Sequence, residues 1–543
     1  MRWAVLPGLL LAAAIAGAAE FDAAARLQVA RIVEGQIAAG RLPGAVVLIG
    51  DSTHVLYRQA FGQRATTPFP EPMALDTEFD LASLTKAIAT TTAVMQLVEA
   101  GRIDLDKPVA RYWPAFALPR KNAITVRELL AHTSGLPAGL PAQPAKAGRE
   151  AVLSAIAAQR LRSEPGERVI YSDLNFVVLG ALVERITHLP LDAYCRIHIF
   201  NPLGMGDTVF LPDTERAARS APTLANSTGT LRGHVHDPTA RWMGGVSGNA
   251  GLFSTADDLA RYAQMILNQG RAGSTRILRP ESIAALAAPA SALASTPWRG
   301  LGWELSAPLV QNHDRLPPIG VIGHTGYTGT GLWIDQVTQQ FIVILTNRVY
   351  PDDHGDARPL RAQLLALLAS RAAPASVAHI GRLMPSALPA LHAAARLPTS
   401  TGPVQVGIDV LEAQQFAPLA GLRVGLITNR SGFDALGRRT IDVLAEAPGV
   451  RLTALFSPEH GLDIDVDERV GDTRDTATGL TVHSLYGATQ RFPAQSLRAL
   501  DALVFDIQDA GVRFFTYETT LGYALEAAAA RGIALFVLDR PDP

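Results

Sequence analysis

The sequence predicts two folded units of different class: an α+β domain with an antiparallel sheet and a helical region, then an α/β domain with a parallel, doubly wound sheet. Three observations lead there. The 543 residues exceed what one hydrophobic core usually serves. Within residues 20–372, strand-like runs stand at the beginning and the end with helical patterns between them, so both ends of the segment close one sheet. Beyond Val406, apolar strands alternate with helices, the rhythm of a parallel sheet covered on both faces.

Taken in order, residues 1–19 carry one arginine, an apolar run and the small-residue stretch Ala16-Gly17-Ala18. That pattern reads as a secretory signal, with a hydrophobic first helix as the alternative. No cysteine follows the run to take a lipid, and no other run is long and apolar enough to span a bilayer. The expected location is periplasmic or secreted, with no stable membrane insertion after signal cleavage. The only cysteine, Cys195, has no partner for an internal disulfide and packs as a small hydrophobe. Hydrophobic residues at 48% and charged residues at 18% indicate a packed globular chain, and a net charge of −2 lacks the basic face that nucleic acid requires.

Residues 21–40 read as an amphipathic helix, followed by the strands GAVVLIGD and HVLYRQAFG. Helical patterns dominate from Ser83 to about residue 200, with Ser254 and Asp257 placed to form a capping box. GLGWELS, GLWIDQVT and FIVILTNR return to strand character. Alanine, proline and serine then fill a predicted linker over 373–404, with one short helix near 389–395. From 405 to 543 the alternation runs LRVGLITN, RRTIDVLAEA, RLTALFSPEHG, LDALVFDIQDAG, TTLGYALEAAAARG and IALFVLDRPDP.

Lysine is scarce: Lys86, Lys107, Lys121 and Lys146 only. A chain that otherwise uses arginine keeps lysine where a removable proton matters. Ser83 and Lys86 stand three apart at a helix start, so they share a face, and the helix dipole favours negative charge at Ser83. A neutral lysine there takes the serine proton and makes a nucleophile; the alternative is a helix cap followed by a surface lysine. Tyr171, before another apolar helix, is placed to relay a proton, or is a core aromatic. His324-Thr325-Gly326 precedes a strand, where Gly326 permits close substrate approach and backbone N–H groups with that of Ser83 form an oxyanion hole, or it is a turn with a glycine. His132 in AHTSG orders a loop rather than ligating metal.

These three elements, with ITVRELLAHTSGL and GNAGLFSTADDLARYAQMIL, resemble the serine β-lactamase/penicillin-binding-protein superfamily, in the branch nearest class C β-lactamases, over about residues 25–370. The resemblance implies a β-lactamase/transpeptidase-like fold, Ser83 as the acylated nucleophile, Lys86 as its base and Tyr171 as proton relay. Two departures stand out. Asp173 replaces the asparagine of Tyr-x-Asn, and His324 replaces the lysine of Lys-Thr-Gly, removing a fixed cation that meets a substrate carboxylate. They predict an amidase or esterase rather than a β-lactamase or carboxypeptidase, with Asp173, His324, Thr325 and Gly326 lining the substrate site.

In the second domain, chemistry gathers at strand ends, where doubly wound sheets bind ligands. Glu459 and His460 follow one strand; Asp506, Gln508, Asp509, Arg513 and Tyr517 follow the next; Asp539 and Arg540 follow a third. Such carboxylates suit sugar cleavage, and equally suit strand caps and salt bridges. No Gly-x-Gly-x-x-Gly turn follows the first strand, so no dinucleotide is implied; no metal or other cofactor is expected. GLITNRSG, LFSPEHGL, VFDIQDAGVRFFTY and LDRPDP resemble the exo-β-N-acetylmuramidase (NamZ-type) family over about residues 405–543. That resemblance implies a Rossmann-like domain with Glu459 as the principal catalytic carboxylate, incomplete at its C-terminus. Peptidoglycan fragments as partners unite the halves: an N-acetylmuramoyl-L-alanine amidase with an exo-muramidase. The alternatives are a broad serine esterase, D-aminopeptidase or β-lactamase-related enzyme, and a muropeptide sensor that is acylated without turnover.

Overall fold

The structure is a computed structural model. It describes residues 21–388 and 405–540, apart from 118–120, 145–147, 227–228, 292–297, 459–460, 463–470, 487–489 and 509–516. The expected signal segment, the short helix near 389–395, and Glu459, His460, Asp509 and Arg513 therefore lie outside the described residues. The chain divides into two compact units, residues 1–397 and 398–543.

The first unit is built on a seven-stranded antiparallel sheet. Its strands lie in the order Glu304–Ser306, Val321–Thr325, Gly331–Asp335, Gln340–Thr346, Gly44–Asp51, Val55–Ala65 and Glu71–Pro72. The central pair joins the two ends of the unit, Ala45 opposite Thr346 and Ile49 opposite Ile342, so the expected closure by early and late strands is what is found. Gly44–Asp51 is an apolar run because both of its faces are covered. Ala45, Val47 and Ile49 pack with Val29 and Val33 of helix Ala23–Ala38 and with Leu360 and Leu364 of helix Arg358–Arg371. Val46 and Leu48 face the helical region, which includes Thr92–Glu99, Asp173–Thr187 and Ala256–Leu267.

Two sequence expectations need correction here. The cap of helix Ala256–Leu267 is Thr255, whose hydroxyl accepts from the Asp258 N–H, one position beyond the expected Ser254/Asp257 box. Ser254 is instead in a strand, with its hydroxyl on Thr208. Within the predicted linker, Val377–Leu383 forms a helix and Pro385–Ala387 a 3₁₀ turn. They bury Ile380, Met384 and Ala387 in the core of the first unit: apolar residues at helical spacing outweigh the prolines around them.

The second unit contains a six-stranded sheet. Five strands are parallel, ordered Thr481–Ser484, Arg451–Ser457, Arg423–Thr428, Ala502–Asp506, Ala534–Val537, and Thr473–Arg474 adds an antiparallel edge. In chain order the parallel strands read 3-2-1-4-5, so the direction of winding reverses between Arg423–Thr428 and Ala502–Asp506, the position where sheets of this kind open a crevice.

One close approach positions the catalytic half of the first unit. A Cβ on Gly248 would lie 2.0 Å from the Phe176 carbonyl oxygen and 3.0 Å from the Gly180 Cα. The segment bearing Asn249 is thus pressed onto helix Asp173–Thr187 with room only for hydrogen. Gly248→Ala is expected to lower stability by about 1–3 kcal/mol through overpacking, read as a shifted denaturant midpoint at unchanged slope.

Candidate active site

Ser83 follows a strained elbow. Ala82, the preceding residue, has φ +47°, a conformation rare for a residue with a side chain. The buried Asp80 carboxylate holds it there, accepting from the Ala82 N–H at 2.8 Å and the His236 N–H at 2.6 Å. Burial pushes the Asp80 carboxyl up to about 6 despite those donors. The turn Gly326–Thr330 clamps the same loop, with Thr328 Oγ1 donating to the Asp80 carbonyl and Thr330 Oγ1 to that of Leu81. Gly326 is required by this clamp rather than by a substrate: a Cβ there would lie 2.4 Å from the Leu81 carbonyl oxygen.

After the elbow the chain becomes helical, beginning with a π-helical stretch, Lys86–Thr91, the kind of widening often found at functional sites. Lys86 is fully buried. Its Nζ donates to Ser83 Oγ at 2.8 Å and to the Asn249 carbonyl at 3.0 Å, lies 2.7 Å from Asp173 Oδ1, and also bonds Tyr171. Burial pulls the ammonium toward neutrality, but the Asp173 charge and the Tyr171 and Asp173 hydrogen bonds together outweigh it and raise the lysine above its ordinary value. The expected neutral lysine base is therefore not the resting state. The cause is the substitution seen in the sequence: an asparagine at 173 would leave Lys86 without a counter-charge.

The Tyr171 ring sits among nitrogen groups. Lys86 Nζ lies 5.2 Å from its centroid and Arg299 Cζ 5.5 Å; His132 stacks on it at 4.5 Å, and His324 is 6.1 Å away. Burial, then the nearby cations Arg299 and Lys86, holds His132 far below the usual imidazole range; burial, then Lys86 and Arg299, does the same to His324, so both rings are neutral. His132 Nδ1 accepts from the Ser172 N–H, which makes the loop role expected for it concrete. His324 Nδ1 bonds its neighbour's carbonyl, at Thr325, 2.9 Å away. Because His324 is buried beside two cations, it does not replace the missing lysine as a substrate cation.

Other cations reach the neighbouring cleft, although Arg348 is paired with Asp353 at 2.8 Å and Arg358 with Asp356 at 2.9 Å. A cleft of about 770 Å³ contains Ser83, Tyr171, Asp173, Thr325 and Gly326 at one part of its wall and Arg348, Arg358 and Arg361 at another. Arg361 is anchored on the carbonyls of Gly326 and Thr330, at 3.1 and 2.8 Å, and burial pulls its guanidinium down to about 10. The Gly326 N–H, expected to serve an oxyanion, is instead spent on the Thr330 carbonyl at 2.8 Å. Among the described residues, the N–H groups of Ser83 and Tyr327, both on the cleft wall, have no protein acceptor. The arginines, Tyr327, Asp237 and Arg299 were all missed from sequence, since one arginine among many carries no mark of its place.

In the second unit, Asp506 is not free to meet a ligand. Arg540 holds it at 2.6 and 2.9 Å, Thr440 donates to the same carboxylate, and the side chain is buried. Asp506 and Arg540 thus clasp two adjacent strand ends; buried Asp506 departs from its expected place facing a ligand, whereas Arg540 also lines the small cleft at these strand ends. Tyr517 and Asp539 do meet, at a cleft of about 140 Å³ that Glu518 also lines. The Gln508 N–H is held by Ser431 Oγ at 2.8 Å. Among the described residues, no three His, Cys, Asp or Glu side chains gather as a metal site. Cys195 is buried, and burial pushes its thiol up, away from reactivity.

Residues 29–366 match the family model for Beta-lactamase, and residues 424–543 match the model for Exo-beta-N-acetylmuramidase NamZ, N-terminal. Over 360 residues the chain is 34% identical to a Salmonella heidelberg (strain SL476) protein named "Putative D-alanyl-D-alanine carboxypeptidase", covering 58% of this chain and 81% of that one. A protein of the same name from Salmonella typhimurium matches equally. Among solved structures, EstCE1, "a hydrolase with promiscuous acyltransferase activity", superposes with TM-score 0.53 at 24% identity, covering 63% of this chain and 98% of that one. A class C beta-lactamase does so with TM-score 0.53 at 19% identity, covering 65% and 97%. At those identities the superpositions speak for the β-lactamase-like fold alone. The chain belongs to the beta-lactamase family of serine hydrolases, joined to an N-terminal domain of the exo-beta-N-acetylmuramidase NamZ type, and it is a hydrolase.

Proposed function

We propose that the chain is an exported peptidoglycan-turnover enzyme whose first unit cleaves an amide through a Ser83 acyl-enzyme and whose second unit trims terminal N-acetylmuramic acid. The observation that carries the first half is the Ser83–Lys86–Tyr171–Asp173 constellation, set on the wall of a cleft that also presents arginines. The bond is that between the lactyl group of N-acetylmuramic acid and L-alanine, because its cleavage releases a glycan end that a muramidase unit can use. The secretory reading of residues 1–19 supports a periplasmic or secreted location, where such fragments arise.

In this mechanism Lys86 stays protonated and Tyr171 takes the base role. Ser83 Oγ bonds to the carbonyl carbon as its proton passes to the phenolate oxygen of Tyr171. The Ser83 and Tyr327 N–H groups receive the oxyanion. As the C–N bond breaks, Tyr171 returns the proton to the departing amine. Water then repeats the sequence in reverse: it gives a proton to Tyr171 and a hydroxyl to the acyl carbon, and Ser83 leaves with the tyrosine proton. Arg348 and Arg361 meet a substrate carboxylate.

A second reading has its own support. The arginine-bearing wall suits a C-terminal carboxylate, and the Salmonella relatives carry a carboxypeptidase name; release of a terminal D-alanine is the reaction it implies. In the second unit we propose a Rossmann-like crevice with Glu459 as the acid. In sequence this residue follows the strand Arg451–Ser457 and buried Pro458, at a strand end where such sheets place ligands.

Ser83→Ala is expected to reduce ester and amide hydrolysis by at least about a thousandfold with the fold retained; activity within tenfold of wild type on purified protein rejects the nucleophile. Mass analysis of products from a defined muropeptide separates the two readings: a mass loss of one D-alanine supports the carboxypeptidase, and a free muramic lactyl acid supports the amidase. Glu459→Gln is expected to abolish cleavage of a chromogenic muramide while ester turnover at Ser83 continues. Muramide cleavage that persists in the variant, or that a chelator stops, rejects the carboxylate mechanism.

A further inference from the structure

Tyr171 is faced by charged or titratable groups from every element packed against it. Lys86 comes from the nucleophile helix, His132 from the turn after helix Val126–Leu130, His324 from its strand, and Arg299 from the segment before Glu304–Ser306. Asp173 opens the helix that follows the tyrosine, with Asp237 beyond it. The two imidazoles are neutral, and the Lys86 charge is already matched by Asp173 at 2.7 Å. Arg299 is the remaining cation on the ring.

Its placement is fixed rather than incidental. The backbone of Arg299 is pinned to Ser291, with its N–H on Ser291 Oγ at 2.9 Å and its carbonyl accepting from the Ala290 N–H at 2.7 Å. The side chain is 8% exposed; among the described residues its Nε is buried without an acceptor and its one carboxylate partner is Glu304 at 3.2 Å, which is half exposed. It does not line the cleft. A buried guanidinium whose counter-ion is half exposed, and so partly screened by water, keeps part of its field on the ring beside it.

We propose that Arg299 is a positioning residue for proton transfer at Tyr171, supplying from outside the cleft the second cation that holds the phenolate against Lys86 and Ser83. The inference rests on Tyr171 acting as the base. It assigns to Glu304 the opposite effect, as a rim carboxylate that attenuates Arg299.

The test is the pH profile of kcat/KM for p-nitrophenyl butyrate with the full chain. Arg299→Gln is expected to lower kcat/KM about tenfold or more near neutral pH, with KM within about twofold. It is expected to move the acid limb up by about one pH unit, a tenfold effect on the limb. Arg299→Lys is expected to restore most of the activity and the limb, and Glu304→Gln to move the limb down. A purely structural arginine would shift the unfolding midpoint and leave the limb in place. That result, equal loss in Arg299→Gln and Arg299→Lys, or an upward shift in Glu304→Gln overturns the proposal. If Arg299→Gln does not fold, the direction of the Glu304→Gln shift decides. Tyr171→Phe separates the two levels. If it retains ester turnover within about tenfold, the tyrosine base fails and Arg299 with it; if it is inactive while the Arg299→Gln limb is unmoved, only the Arg299 role fails.

Discussion

A fully buried ammonium needs an anion beside it, and the site is organised by that requirement. Lys86 has no exposed surface, so its charge is tolerable only with Asp173 at 2.7 Å and with carbonyl and hydroxyl acceptors around it. Meeting this need draws three separate segments together: the nucleophile helix, the start of helix Asp173–Thr187 and the Asn249 loop. The close passage of Gly248 over Phe176 and the strained Ala82 are what bring those segments into range. Packing and electrostatics here are one constraint: each close contact serves to deliver an acceptor to one nitrogen.

The same pairing redistributes chemical roles. In the proposed mechanism Lys86, kept charged, orients Ser83 and Tyr171 instead of exchanging protons itself, and the burden of charge at the tyrosine falls on neighbours the motifs do not include. In the same proposal substrate recognition shifts from the His324 position toward arginines after the last strand of the sheet, Arg361 being held by the carbonyls of Gly326 and Thr330. The Thr-Gly turn thus links the nucleophile loop to the arginine-bearing wall through its main chain.

Much of the fold was legible because central strands leave continuous apolar runs. Gly44–Asp51, Arg423–Thr428, Arg451–Ser457 and Ala502–Asp506 all fall where the sequence expects them. Two-residue strands such as Phe79–Asp80 and Val209–Phe210 have no periodicity to read and were invisible. The helix Val377–Leu383 was hidden by an alanine–proline background whose three buried positions become meaningful only against the core they enter. At the site, Ser83 and Lys86 were found by spacing, Tyr171 by its place before an apolar helix and Asp173 through the family resemblance, but the protonation of Lys86 depends on a distance that sequence does not contain. In the second unit, Asp506 and Arg540 were correctly placed at strand ends, but their pairing, which buries Asp506 and leaves Arg540 on the wall of a small cleft, depends on contacts that sequence does not contain.

The pairing of Gly44–Asp51 with Gln340–Thr346 carries a consequence for synthesis. A chain made from its N-terminus exposes the first strand, apolar on both faces, long before the strand that completes its hydrogen bonding exists. The hairpin it forms with Val55–Ala65 covers one edge only. Such non-local pairing is slow to form, and its open edge is a template for aggregation until residue 346 has been added. During translation the first unit therefore stays open at this edge until Gln340–Thr346 docks.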